Sequence, residues 1–221
     1  MDTRTTRSRQ RRGSRSVAGI MSLRASALPL ILAAVPACVQ RAKLSAPVVT
    51  LHRENSEKGP RFPVRREGSQ VEVVAGDLIT GDHVLTFDRF DGLLATEPPG
   101  DSGTLDFELD LQSMKSDSKE VESVIKNDLL EVDKFPHASL AAHFGPGSGD
   151  EREVEGNLVL HGVKKGIRFA ATLRPEERGY RFAATFKIER QAFGIHAPKF
   201  DSVIYDDLRI NLDLAARSAH P

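Results

Sequence analysis

The chain has 221 residues, 39% of them hydrophobic and 28% charged, enough for one well-filled domain or two small ones and too apolar for wholesale disorder. Its net charge is zero, but residues 1–37 hold seven Arg and one Asp, whereas the remainder holds 24 basic against 30 acidic residues. The folded part is thus mildly acidic, which argues against nucleic acid as a partner.

Residues 1–24 are rich in Arg and Ser, and Ala25 to Ala37 form an apolar run of 13 residues. Such a run is too short to span a bilayer and fits the core of a signal peptide over residues 1–37. Cys38, the only cysteine, follows directly. Ordinary cleavage would leave it as a free thiol, whereas a lipoprotein signal would make it the acylated first residue. Val35-Pro36-Ala37-Cys38 resembles a lipobox, with Pro36 as its unusual element, and lipidation at Cys38 is the preferred reading. A lone cysteine cannot close an internal disulfide, so acylation gives it a purpose. Several acyl chains would hold the protein firmly to a membrane. Met21-Ser22-Leu23-Arg24 with the apolar run is already a compact signal peptide, so Met21 is an alternative start. The pair Arg11-Arg12 suggests a twin-arginine route, but the flanking residues match it poorly.

From Val39 to Pro60 there is no sustained periodicity, and residues 38–60 read as a lipid-anchored flexible tether, with Ala46 to Leu51 as a stray edge strand. The domain is expected over residues 61–216. Phe62 and Val64 begin a strand that Pro63 confines to an edge, and Ser69 to Ala75 continue it after Gly68. His83 to Thr96 supplies a long strand that bends at Gly92. Thr104 to Met114 alternates cleanly, with Leu105, Phe107, Leu109 and Leu111 on one face and Asp106, Glu108 and Asp110 on the other. Asp117-Ser118-Lys119-Glu120 resembles a capping box, and Val121, Val124, Ile125 and Leu129 recur at helical spacing, which predicts one short helix over about 118–130. Ala138, Leu140, Ala142 and Phe144 then share a face of the next strand.

Glu151 to Arg190 lays down three strands in succession. Their dry faces are Val154, Gly156, Leu158 and Leu160; then Ile167, Phe169, Ala171 and Leu173; then Tyr180, Phe182, Ala184, Phe186 and Ile188. Small residues interspersed with Phe would leave room inside a barrel. The last strand places Ile204, Leu208, Ile210, Leu212 and Leu214 on one face, with Asp206 as an intruder that marks a barrel mouth.

Three dispersed stretches, Asn127 to Pro136, Val154 to Lys165 and Ile188 to Ile195, resemble the YceI-like family in order along about Phe62 to Leu214. The resemblance implies an all-β fold, an extended antiparallel eight-stranded lipocalin-like barrel. It also implies binding of a polyisoprenoid or quinone in an apolar tunnel in the bacterial periplasm or cell envelope. Asp128-Leu129-Leu130 replaces a more usual aromatic pair, and Lys165-Gly166 a Pro-containing turn, so the identity of the guest is not fixed.

On this reading the tunnel lining comprises Phe107, Leu109, Ala142, Leu158, Phe169, Ala171, Phe182, Ala184, Phe186, Phe193 and Ile195. Ten buried carbons of a lipid tail at about 0.8 kcal/mol each give roughly 8 kcal/mol before ordering costs, so few polar contacts are needed. No cofactor is expected beyond the bound lipid. His137 and His143 share a strand face but lie too far apart to share a metal ion, and no nucleophile elbow is present. Two alternatives stay open. One is a protein-interaction module with a filled β core. The other is an enzyme acting on a lipid head group, for which Asp206, His161 and His196 are the nearest candidates. Pairing of barrels into a homodimer through edge residues near Phe62 is also left open.

Overall fold

A computed structural model describes residues 39–45 and 59–218. The signal peptide, Cys38, most of the expected tether and the stray strand over Ala46 to Leu51 lie outside the described residues. Strands β1 (Gln40–Arg41) and β2 (Lys43–Ser45) precede β3 (Arg61–Asp77), β4 (Gly81–Phe87), β5 (Phe90–Glu97), β6 (Ser102–Asp110) and β7 (Met114–Lys115). A helix, α1 (Lys119–Val124), leads through a π-turn (Ile125–Leu129) to β8 (His137–Phe144), β9 (Glu151–Leu160), β10 (Val163–Glu176), β11 (Gly179–Glu189) and β12 (Ile204–Arg217).

The pairing closes an antiparallel barrel of eight walls. β3 pairs with β4 along its second half and with β5 along its first three residues, so β4 and β5 act as one interrupted strand. β6 follows, extended by β7, then β8, β9, β10, β11 and β12, and β12 returns to β3. The wall repeats the alternation in the sequence: Leu105, Phe107 and Leu109 are buried, as are Val154, Leu158, Leu160, Ile167, Phe169, Phe182 and Phe186.

Several expectations are corrected. Pro63 does not mark an edge, because β3 lies between β12 and β5; it pairs opposite Leu93. The long strand breaks at Asp88-Arg89 and not at Gly92. Gly92 instead makes room, since a methyl group there would come within 2.8 Å of Val64 and 2.9 Å of Phe107. The helix begins where its cap predicts, with the Ser118 hydroxyl accepting from the Val121 N–H at 3.3 Å, but only its first six residues are α-helical. The wider π-turn then sets both Leu129 and Leu130 against the barrel.

The largest departure lies at the start of the described chain. β10 and β11 pair directly only from Thr172 to Glu176 and Gly179 to Ala183. Above that point β1 runs parallel to β11, with Gln40 opposite Phe186, and β2 runs antiparallel to β10, with Leu44 opposite Ile167. Residues 40–45, expected to begin the tether, are therefore a plank inserted between two diverging strands. Ala42 is buried there, its N–H donates to the Lys187 carbonyl at 2.8 Å, and Arg41 pairs with Glu189 at 2.6 Å and with Asp207.

Candidate functional site: an apolar cavity under the helical segment

The up-and-down topology puts the two longest connections of the barrel, the helical segment and the loop from Arg190 to Val203, at one end, together with the β3–β4 and β9–β10 turns. The other end, closed by the connections over residues 98–101, 145–150 and 177–178, is solidly packed. There Leu94, Leu105, Phe144, Val154, Phe182 and Leu214 are almost wholly buried, and Phe62 meets Tyr180 edge-on at 5.1 Å.

The space lies toward the helical end. A cavity of about 120 Å³ is bounded by Phe107, Leu109, Leu140, Leu158, Phe186 and Ile188 from the walls, by Ile125, Leu129 and Leu130 from the helical segment, and by Ile195. β3 and β12 add Val73, Ala75, Ile204, Leu208 and Ile210, which face inward yet stay only half-buried. This side coincides with a register shift between Ile204 and Leu208 opposite β3, where regular pairing is interrupted. Phe169 stacks on Phe186 with ring centres 4.2 Å apart, and this pair divides the hollow half from the packed half.

Of the residues predicted to line a tunnel, Phe107, Leu109, Leu158, Phe186 and Ile195 border this cavity. Ala142, Phe169, Ala171, Phe182, Ala184 and Phe193 are buried but lie outside its lining, in the surrounding core. Pairing explains part of the split. Leu140 stands opposite Phe107 and Leu158, whereas Ala142 stands opposite Leu105 and Gly156, one step further toward the packed end. Gly156 lets β8 and β9 approach there, since a methyl group would collide with the backbone of Ala141 and Ala142. Sequence periodicity alone did not single out Leu85, Phe87, Leu130 or Val73, because it identifies an inward face but not a height along the barrel.

Among the described residues, only Arg190 and Ser139 bring polar side chains to the lining. Arg190 is 1% exposed, and its guanidinium donates to the carbonyls of Ile195 (2.8 Å), Tyr205 (3.2 Å) and Ile204 (3.3 Å) and to Asp201 (2.8 Å). It thereby holds the loop over the mouth, with four of its five N–H donors committed. Asp201 is held below the usual carboxylate range, first by the Ala197 N–H and then by Arg190.

The polar candidates from the sequence are separately engaged. Asp206 sits at the mouth end and accepts from the Gln191 N–H at 2.9 Å. His161 lies 3.2 Å from Glu131, with its ring 4.3 Å from that of Phe135. Both His161 and Glu131 have positive φ, 51° and 43°, so the β9–β10 turn and the end of the helical segment meet through two left-handed residues. Glu131 is held below its ordinary pKa by Lys134 first, with His161 contributing. Among the described residues no group of three or more His, Cys, Asp or Glu is placed to hold a metal, and no helix is long and apolar enough to cross a membrane.

The fold is shared with solved bacterial proteins. Burkholderia cenocepacia BcnA superposes with a TM-score of 0.64 at 19% identity, covering 68% of this chain and 98% of its own. A polyisoprenoid binding domain from Saccharophagus degradans, implicated in plant cell wall breakdown, gives 0.56 at 16% identity, covering 71% and 97%. The Campylobacter jejuni YceI protein gives 0.54 at 18%, covering 62% and 85%. No curated protein matches the sequence significantly. The YceI-like domain matches residues 62–216, nearly the whole of the barrel from β3 to β12, and the chain belongs to the YceI-like family.

Proposed function

We propose that the barrel binds or carries a hydrophobic lipid with an isoprenoid-type tail, a polyisoprenoid or a quinone, in the bacterial cell envelope, and that it acts by burial and not by catalysis. The observation that carries this reading is the cavity itself, bounded almost entirely by apolar side chains, with the Arg190 guanidinium on its lining already bonded to Asp201 and three carbonyls. At about 120 Å³ the cavity is smaller than the ~300 Å³ at which small-molecule pockets begin, so as it stands it would take only part of one tail. Phe107, Leu109, Leu158, Phe186 and Ile195 would contact that tail, and the head group would remain at the helical end. The polyisoprenoid binding named for the Saccharophagus degradans domain supports the same class of guest. In this reading Cys38 is acylated after export and holds the barrel at a membrane.

Native mass spectrometry of the protein isolated from bacterial envelopes under mild conditions, before and after organic extraction, tests the proposal. The expected result is a stoichiometric adduct of lipid mass that extraction removes. A bare mass that stays unchanged after incubation with isoprenoid quinones and phospholipids would overturn it in favour of an interaction module.

A further inference from the structure

Exposed apolar side chains are concentrated at one place in the fold. Leu78 and Ile79, at the tip of the β3–β4 turn, are 64% and 78% exposed, and Phe200 on the β11–β12 connection and Tyr205 at the start of β12 are 45% and 46% exposed. The two segments are tied together. The Leu78 N–H donates to the Val203 carbonyl at 2.9 Å, the Val203 N–H to the Phe200 carbonyl at 2.9 Å, and the Tyr205 ring lies over Gly76. The patch is continuous with the cavity: Ala75 and Ile204, both lining residues, lie immediately beside it, and Arg190 binds the carbonyls of Ile204 and Tyr205.

We propose that this rim docks the barrel on a lipid bilayer whose surface is zwitterionic, with Leu78, Ile79 and Phe200 entering the boundary between head groups and acyl chains. Three features select a bilayer. First, the tip's own donors are already satisfied, the Leu78 N–H by the Val203 carbonyl at 2.9 Å, the Ile79 and Thr80 N–H groups by Asp77 at 2.7 Å and the Thr80 hydroxyl by the same carboxylate at 2.5 Å, so entry of Leu78 and Ile79 strands none of them. Second, charges behind the tips are largely matched: Arg209 with Asp82, Lys187 with Asp207 and Arg190 with Asp201. The rim therefore lacks the cationic surplus that an anionic surface would call for. Third, a rim that borders an apolar cavity gives an apolar guest a path between membrane and interior that avoids water. This last point rests on the lipid-binding reading; the exposure and charge pattern do not.

The chain contains no Trp, so a single introduced indole reports on one position. Ile79→Trp and, at the opposite end of the barrel, Glu177→Trp are prepared in the full chain and mixed with phosphatidylcholine vesicles containing brominated acyl chains. The expected result is a blue shift and about two-fold or greater quenching for Ile79→Trp, with the emission of Glu177→Trp unchanged. Equal quenching at both positions, or none at Ile79→Trp, would overturn docking through the rim. Adding Phe200→Asp to Ile79→Trp should abolish the quenching, and quenching that survives it would also count against the proposal. Native mass spectra of the same samples separate the two readings, since a retained lipid adduct without bilayer quenching rejects the docking rim and leaves lipid binding standing.

Discussion

Arg190 shows what a buried cation costs and why it is kept. Its four partners come from a stretch of eleven positions beyond itself and from the start of β12, so one side chain fixes a loop that has little regular structure of its own. Arg190→Met would remove the donors and leave three carbonyls and the part-exposed Asp201 carboxylate without them. The expected loss is about 3 kcal/mol or more, read from urea unfolding midpoints, and Arg190→Lys should recover little because an ammonium cannot reproduce the planar fork. Asp77 offers a pH-dependent counterpart. The Thr80 hydroxyl is the main group that holds it at about 2, below its ordinary 3.8, with the Thr80 and Ile79 N–H groups and His83 assisting. A carboxylate depressed on folding stabilises the folded state above its ordinary pKa, and that contribution fades as pH falls through the folded value. The stability gap between wild type and Asp77→Asn should therefore be level from about pH 7 to about pH 5 and shrink between about pH 4 and about pH 2. A gap that stays level across the acid range would show that the carboxylate's charge contributes nothing.

Strands with one strong periodicity were readable and the inserted plank was not. β6, β8, β9, β10 and β11 each bury the alternating set that their sequence presents. Gln40 to Ser45 present only a short alternating stretch, Ala42 and Leu44 inward against Arg41 and Lys43 outward, and this is too little signal to separate a strand from a linker. Their structure comes from partners more than a hundred residues away, where β10 and β11 diverge and leave backbone groups to be satisfied. Ala42→Asp would put a charge into that buried position. Amide exchange should accelerate at Gly166 to Arg168 and near Lys187, while β8 and β9 keep their protection; uniform acceleration would instead mean that the plank supports the whole barrel. The helical segment was half legible for a related reason. Its cap is local and Ser118 shows it, whereas the π-turn is set by the need to cover the barrel with Leu129 and Leu130.

At the scale of the molecule the barrel is two compartments, one packed and one hollow, divided near the Phe169 and Phe186 rings. A paired experiment follows from this division. Ala138→Phe would project into the hollow half and should remove the lipid adduct in native mass spectra while leaving the unfolding midpoint little changed. Leu173→Ala would open a hole in the packed half and should cost about 2–5 kcal/mol while sparing the adduct. If both variants lose the adduct equally, the two halves do not behave separately. The inward face was legible from the sequence, but the boundary between halves was not, because it depends on register and on which inward residues meet at one height, as Ala142 and Leu140 illustrate. Closure by β12 against β3 also has a consequence in time. The strand that seals the wall is made after the other seven, and it seals against the first of the eight, some 130–150 positions upstream. Contacts that distant form slowly, and none of the barrel's ring can be completed on a partial chain. Until β12 has been made the wall stays open, and β3 and β11 each present an edge that lacks this partner.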